Sequence, residues 1–127
     1  MRKIYAYTND EESPVLDFFG KSGQKTLEKL KFQLSLIKDE SNVFKEPYIR
    51  HISIAKYSML YELRFKAAGV MVRVIFYEFN GEVILLYAFY KKDKRDTKRA
   101  LEISSKILDL IIDENGNISE IYKKEMF

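Results

Sequence analysis

Apolar and polar positions alternate with a period of two from Met59 to about Lys92, while the segments on either side repeat at three and four residues. The central stretch therefore predicts three antiparallel strands flanked by helices. Asn80-Gly81 lies between two apolar runs, the strongest short-range signal for a two-residue type I′ hairpin, and Ala68-Gly69 closes the preceding hairpin in the same way. Two-residue loops at both places set Leu63 opposite Val74 and Phe65 opposite Val72, and line up Val72, Val74 and Phe76 with Phe89, Tyr87 and Leu85. One face is then continuously apolar. Sliding the first hairpin by one residue would expose Leu63 and Phe65, and the cost of that apolar area argues against it. The favoured register places Arg64 directly opposite Arg73, with Ala88 beside Arg73. Glu62 and Lys66 flank Arg64 on this second face, and Tyr90 and Lys92 extend it on the third strand.

Outside the sheet, Arg2 to Thr8 reads as a short opening strand. Ser13-Pro14 starts a helix that runs to about Phe19 and breaks at Gly20-Lys21-Ser22-Gly23. A second helix extends to about Asp39, with Leu27, Leu30, Leu34 and Ile37 on one side and Phe32 and Leu36 widening the stripe, a pattern of packing against the sheet. Between Ser41 and Ser58 the pattern is irregular. Pro47 there implies a loop that carries Arg50-His51 toward the sheet. After the sheet, Asp96 or Thr97 caps a helix whose stripe is Ala100, Ile103, Ile107 and Leu110, with Leu101, Leu108 and Ile111 beside it, ending near Asn115-Gly116. The last residues form a short mixed tail, 115–127, open to three fates: an edge strand, a mobile end or a segment that folds onto a partner. The expected fold class is α+β, a single domain over 1–127 with no internal repeat.

Charge changes this picture more than length does. The 127 residues carry a formal charge of only +3, but Lys91 to Arg99 alone holds six basic and two acidic residues, a local balance of +4. Such a patch attracts polyanions, and nucleic acid is the favoured partner. The absence of cysteine excludes disulfides, thiolate metal sites and cysteine nucleophiles, and suits a reducing, cytoplasmic location. Neither a signal peptide nor a membrane span is expected, since the longest apolar run, Val83 to Phe89, is far short of about 20 residues. With one histidine, His51, and no ligand spacing, no metal or other cofactor is expected.

The opposed arginines carry the candidate chemistry. Like charges facing each other across a sheet are unfavourable, so a fold that keeps Arg64 and Arg73 there has an anion to place between them.

The ordered set Glu62-Leu63-Arg64, Arg73-Val74-Ile75-Phe76-Tyr77, a hydrophobic strand ending Phe89-Tyr90-Lys91-Lys92, and a helix with a basic start resembles HigB-like toxins of the RelE/ParE superfamily, a phage-derived, toxin-like group of type II toxin–antitoxin systems. The resemblance covers most of the chain. It implies a compact RelE-like domain with an N-terminal strand and two helices, an antiparallel sheet of about four strands and a C-terminal helix. It further implies a metal-independent endoribonuclease that cleaves messenger RNA on the translating ribosome. The implied partners are a cognate helix-turn-helix antitoxin, the ribosome and mRNA, with a higher-order toxin–antitoxin complex and no membrane.

On that resemblance, Arg64 and Arg73 stabilise phosphate charge, with Arg73 the more accessible beside Ala88. Lys92 and Lys91 either position the RNA backbone or stabilise charge, alternation favouring Lys92 on the arginine face as a catalytic residue. Lys94, Arg95, Lys98 and Arg50 contact RNA phosphate. The proton acceptor stays open: His51 is the candidate by intrinsic pKa, and Tyr90 is a rival that can stack on a base or hydrogen-bond phosphate. Glu62 either acts as a base or neutralises Arg64 in the free protein, while Tyr61 and Tyr87 belong to the apolar face. The competing readings are a ParE-like inhibitor of DNA gyrase without nuclease activity, and an inactive antitoxin-binding module.

Overall fold

The computed structural model describes residues 1–10 and 12–126. Strand β1 (Lys3–Tyr7) leads into helices α1 (Pro14–Lys21) and α2 (Gln24–Lys38), then β2 (Ile49–His51), β3 (Leu60–Ala67), β4 (Val70–Phe79), β5 (Glu82–Tyr90), helix α3 (Lys94–Ile111) and β6 (Lys123–Glu125). The fold is mixed α+β, as expected. The sheet, however, has six strands in the order β2-β3-β4-β5-β1-β6, and β1 runs parallel to β5. The expected antiparallel sheet of about four strands is therefore corrected: β3, β4 and β5 are antiparallel at its centre, and the opening strand β1 joins them in parallel. The two additional strands are three residues each, too short to show a period: β2 sits just after Pro47, and β6 lies in the tail, where Lys123 to Glu125 pairs with β1.

Local chemistry accounts for most boundaries. Ser13 caps α1, its hydroxyl accepting from the Leu16 N–H at 3.3 Å, with Pro14 in the first turn. Both hairpin turns have two residues at positive φ, Ala68 (51°) with Gly69 (80°) and Asn80 (51°) with Gly81 (79°), the signs a type I′ turn requires. Helix α3 starts earlier than expected. Asp93, not Asp96 or Thr97, is its cap, and Asp96 closes a reciprocal capping box by accepting from the Asp93 and Lys92 N–H groups at 3.0 and 2.7 Å. The helix ends at Ile111, ahead of a turn at Asp113 to Gly116, and its buried side chains are Ala100, Leu101, Ser104, Ile107, Leu108 and Ile111. Leu110 faces solvent.

The two faces of the sheet are both covered, which revises the expectation of one apolar and one open face. Helices α1 and α2 pack Val15, Phe19, Leu30, Leu34 and Ile37 against Ile4, Leu63, Val72, Val74 and Leu85. Helix α3 packs on the other side against Ile75, Ile84, Leu86 and Phe89. Each fully buried aliphatic side chain in such a core contributes on the order of 1.5 to 3 kcal/mol. On α2, Phe32 and Leu36 fall outside the buried stripe.

One irregularity decides which side chains meet. The β3–β4 register follows the alternation, with Leu63 opposite Val74, Phe65 opposite Val72 and Arg64 opposite Arg73. Between β4 and β5 the register shifts, with Ile75 opposite Tyr87 but Phe76 opposite Leu85. Leu86 is the extra residue of a β-bulge, which inverts the facing of everything after it. Ala88 therefore pairs with Val74 and Phe89 with Arg73, while Tyr87 joins the α3 side.

Candidate functional site

Five charged side chains of alternating sign form a ladder across the α3 side of β2, β3 and β4, in the order Arg50, Glu46, Arg64, Glu62, Arg73. Strand register builds it: Arg50 lies opposite Glu62 and Arg64 opposite Arg73, and Glu62 precedes Arg64 by two residues, so all four share one face. Glu46 arrives from the segment before β2. Its Oε1 is 3.9 Å from both Arg50 Nε and Arg64 Nη1. Glu62 Oε1 is 3.4 Å from Arg64 Nε and 3.7 Å from Arg73 Nε. Along the ladder the side chains pass from solvent to core, being 52, 66, 27, 5 and 2 % exposed.

The anion between the opposed arginines is thus the protein's own Glu62. Unit charges about 4 Å apart interact by roughly 4 kcal/mol at an effective dielectric near 20, so two close attractions to Glu62 outweigh one arginine–arginine repulsion across the strands. The contacts are Coulombic. Glu62 Oε2, Arg64 Nε and Arg73 Nε are buried and make no hydrogen bond. Burial, with a smaller contribution from the Arg64 charge, holds the Arg73 guanidinium below its ordinary pKa while Glu62 pulls it back up.

Arg73 does not have the access expected of it. It is fully buried, because the bulge puts Phe89 beside it instead of Ala88 and α3 covers that half of the sheet; its Nη1 donates to the Val72 carbonyl at 3.2 Å. Arg64 is the half-buried member that reaches solvent.

The remaining predicted residues divide between the two faces. Tyr90 pairs with Val72 and packs against Phe18, with the rings tilted by 52° and their centroids 4.6 Å apart, so it lies on the α1 side and not on the arginine face. His51 also faces away. It pairs with Tyr61, its ring 5.0 Å from the tyrosine ring, and its Nε2 hydrogen-bonds to the Ser58 carbonyl. Tyr61 is half-buried and packs against the core of that side, the apolar face expected for it. Lys91, not Lys92, continues the arginine face: its N–H donates to the Met71 carbonyl at 2.9 Å, and Met71 pairs with Lys66. Lys92 is exposed in the turn that follows, and Lys94, Arg95 and Lys98 project into solvent from the first turns of α3.

One residue, Glu46, went unread as part of this constellation. Glu46 carried one local signal, its four-residue spacing from Arg50. Glu62 was visible beside Arg64, but its link to Arg73 depends on pairing across strands. Among the described residues, no group of three or more His, Cys, Asp or Glu side chains is placed to hold a metal ion, and no helix is long and apolar enough to cross a membrane. A cavity of about 310 Å³ lies between α2 and residues 41–49, lined by Leu36, Phe44, Pro47 and Tyr48 among others, and it touches the ladder only through Glu46.

Residues 27–109 match the family model described as "Phage derived protein Gp49-like (DUF891)". The chain belongs to this Gp49-like family. The matched segment runs from α2 almost to the end of α3 and contains the whole ladder and the basic start of α3, leaving out β1, α1 and β6. Proteins of the Gp49-like family are often toxin-like in toxin–antitoxin settings. Comparison with curated proteins and comparison with solved structures gave no significant match.

Proposed function

We propose that this Gp49-like protein is the toxin of a type II toxin–antitoxin system of the HigB-like kind, a metal-independent endoribonuclease that cleaves mRNA on the ribosome. The observation that carries the reading is Arg64, a guanidinium fixed on its inner side by Glu62 and open to solvent on its outer side, within a family of toxin-like proteins. In such a cleavage the 2′-oxygen attacks the adjacent phosphorus, its proton passes to a base, and the 5′-oxygen leaves with a proton. The products are a 2′,3′-cyclic phosphate and a 5′-hydroxyl. Negative charge grows on the phosphate oxygens in the transition state, and a forked, permanently charged guanidinium stabilises it. Arg64 is the residue for that role. Lys91, Lys92, Lys94, Arg95, Lys98 and Arg50 hold the RNA backbone, and Arg73 acts from the interior.

His51 and Tyr90 point to the opposite side of the sheet, and Glu62 is buried against two guanidiniums. The arginine face therefore stabilises charge without an accessible proton acceptor among these candidates, which supports dependence on the ribosome to organise the RNA. A cognate antitoxin with a helix-turn-helix domain neutralises the toxin by covering the cationic face.

Inducing the full chain in cells tests this reading. The expected result is growth arrest with cleaved transcripts, loss of cleavage by about 10²-fold or more in Arg64→Ala, and restored growth when the antitoxin is co-expressed. Arrest with intact transcripts and DNA damage would reject it in favour of gyrase inhibition.

A further inference from the structure

We infer that Glu62 is a positioning residue: its buried carboxylate sets the direction of the Arg64 guanidinium and restrains its affinity for phosphate. The inference rests on the reading that Arg64 contacts RNA phosphate. Glu62 reaches Arg64 through Nε, the nitrogen nearest the main chain, at 3.4 Å, while Arg64 Nη1 points the other way, toward exposed Glu46 at 3.9 Å. The outer edge of the guanidinium, which a phosphate engages in a forked contact, is thereby turned to solvent. Arg73 secures the carboxylate from behind. It is buried, its Nη1 is committed to the Val72 carbonyl, and its Nε is 3.7 Å from the Glu62 oxygen that faces Arg64. The order of support is Arg73 to Glu62 to Arg64.

Simple neutralisation of Arg64 does not require this arrangement, because Glu46 already supplies an exposed carboxylate. A carboxylate with one oxygen buried and unpartnered is costly. Its position between two arginines gives that cost a use: the carboxylate fixes Arg64 by charge at Nε, while Nη1 faces the exposed Glu46 at 3.9 Å, a contact that a phosphate can displace.

The test uses the full ¹⁵N-labelled chain, the variants Glu62→Gln and Glu62→Asp, inorganic phosphate, and a 2′-O-methyl RNA oligonucleotide that binds without being cut. In Glu62→Gln the Arg64 Nε–H resonance should become mobile while that of Arg73 stays ordered. Affinity for phosphate and for the oligonucleotide should rise three- to tenfold at low salt, as cleavage of unmodified RNA by the ribosome-bound protein falls at least tenfold. Glu62→Asp should fall between, and in an Arg64→Ala background Glu62→Gln should no longer alter affinity. Affinity and cleavage falling together, an unchanged Arg64 signal, or an affinity change that persists without Arg64 would each overturn the inference. Should Glu62→Gln fail to fold, an Arg64 signal and phosphate affinity in Glu62→Asp equal to those of the wild type would overturn it equally. A wild-type chain that cuts no RNA would reject the nuclease reading, while the phosphate titration of Arg64 would still decide the role of Glu62.

Discussion

Arg64 and Arg73 are the same residue type at directly opposed positions, yet burial gives them different roles. Arg73 is fully buried, so replacing it with alanine leaves Glu62 in the core with only the half-buried Arg64 to face. Removing one partner of a buried charge pair typically costs about 3 to 5 kcal/mol. Arg64 is partly solvated, and surface-type pairs contribute about 1 kcal/mol or less. Urea unfolding should therefore show a large drop in midpoint for Arg73→Ala and a small one for Arg64→Ala, while RNA cleavage is lost in both. Equal stability losses would contradict the assignment of one arginine to the core and the other to the ligand. Arg64→Lys is a further control, because an ammonium keeps the charge and loses the fork.

At the scale of elements, the sequence was legible wherever a period or a turn residue was present. Asn80-Gly81 and Ala68-Gly69 set both hairpins, and the alternation of Leu63, Arg64 and Phe65 set the β3–β4 register. The facing of β5 was not legible, because Val83 to Phe89 is apolar throughout and is covered on both sides, so no polar position marks a face. That is why the bulge at Leu86, and with it the true neighbours of Arg73, escaped an alternation argument. The start of α3 was misread for a related reason: Asp93 and Asp96 are three residues apart, and either is a good cap. Their actual division of labour predicts an acid response. Asp96 has its carboxyl pKa lowered, first by the Asp93 N–H and then by the Lys92 N–H. A folded-state pKa below the unfolded value of about 3.9 means that the contribution is present above that value and is lost as pH falls through the folded pKa. Amide shifts of the first turn of α3 should therefore report fraying as pH falls below about 3.9. Asp96→Asn should remove this transition without moving the sheet resonances; a transition unchanged in Asp96→Asn would assign it to another carboxyl.

Over the whole molecule, a net charge of +3 hides how unevenly the charge is placed: several carboxylates are paired with bases of the fold, and Glu62 among them is buried. Glu82 and Glu120 hold Lys123 at 3.0 Å each, tying β6 to the sheet, while Glu62 and Glu46 lie in the arginine ladder. On the arginine face a polyanion meets Arg64 and Lys91, with exposed Lys92, Lys94, Arg95 and Lys98 beside it. The row of Lys66, Met71 and Lys91 lies two residues along the strands from the Arg64 row, roughly 7 Å at about 3.4 Å per residue, so the two sources of charge adjoin one another. Composition alone showed the basic run, but its adjacency to Arg64 is a product of strand pairing, and the part played by Glu46 depends on a segment with no period of its own. Single-stranded RNA gives this arrangement a quantitative signature, since each phosphate contact adds about 0.7 to the slope of log affinity against log salt. Replacing Lys94, Arg95 and Lys98 together with alanine should lower the slope for an uncleavable oligonucleotide by about 2. Arg64→Ala should lower it by about 0.7, and Arg73→Ala should leave it unchanged in the folded fraction. A slope that responds to Arg73 but not to the α3 residues would mean that RNA enters the protein from a different side. The basic turn would then be a solvated helix start, and the arginine ladder would have to open before it could bind.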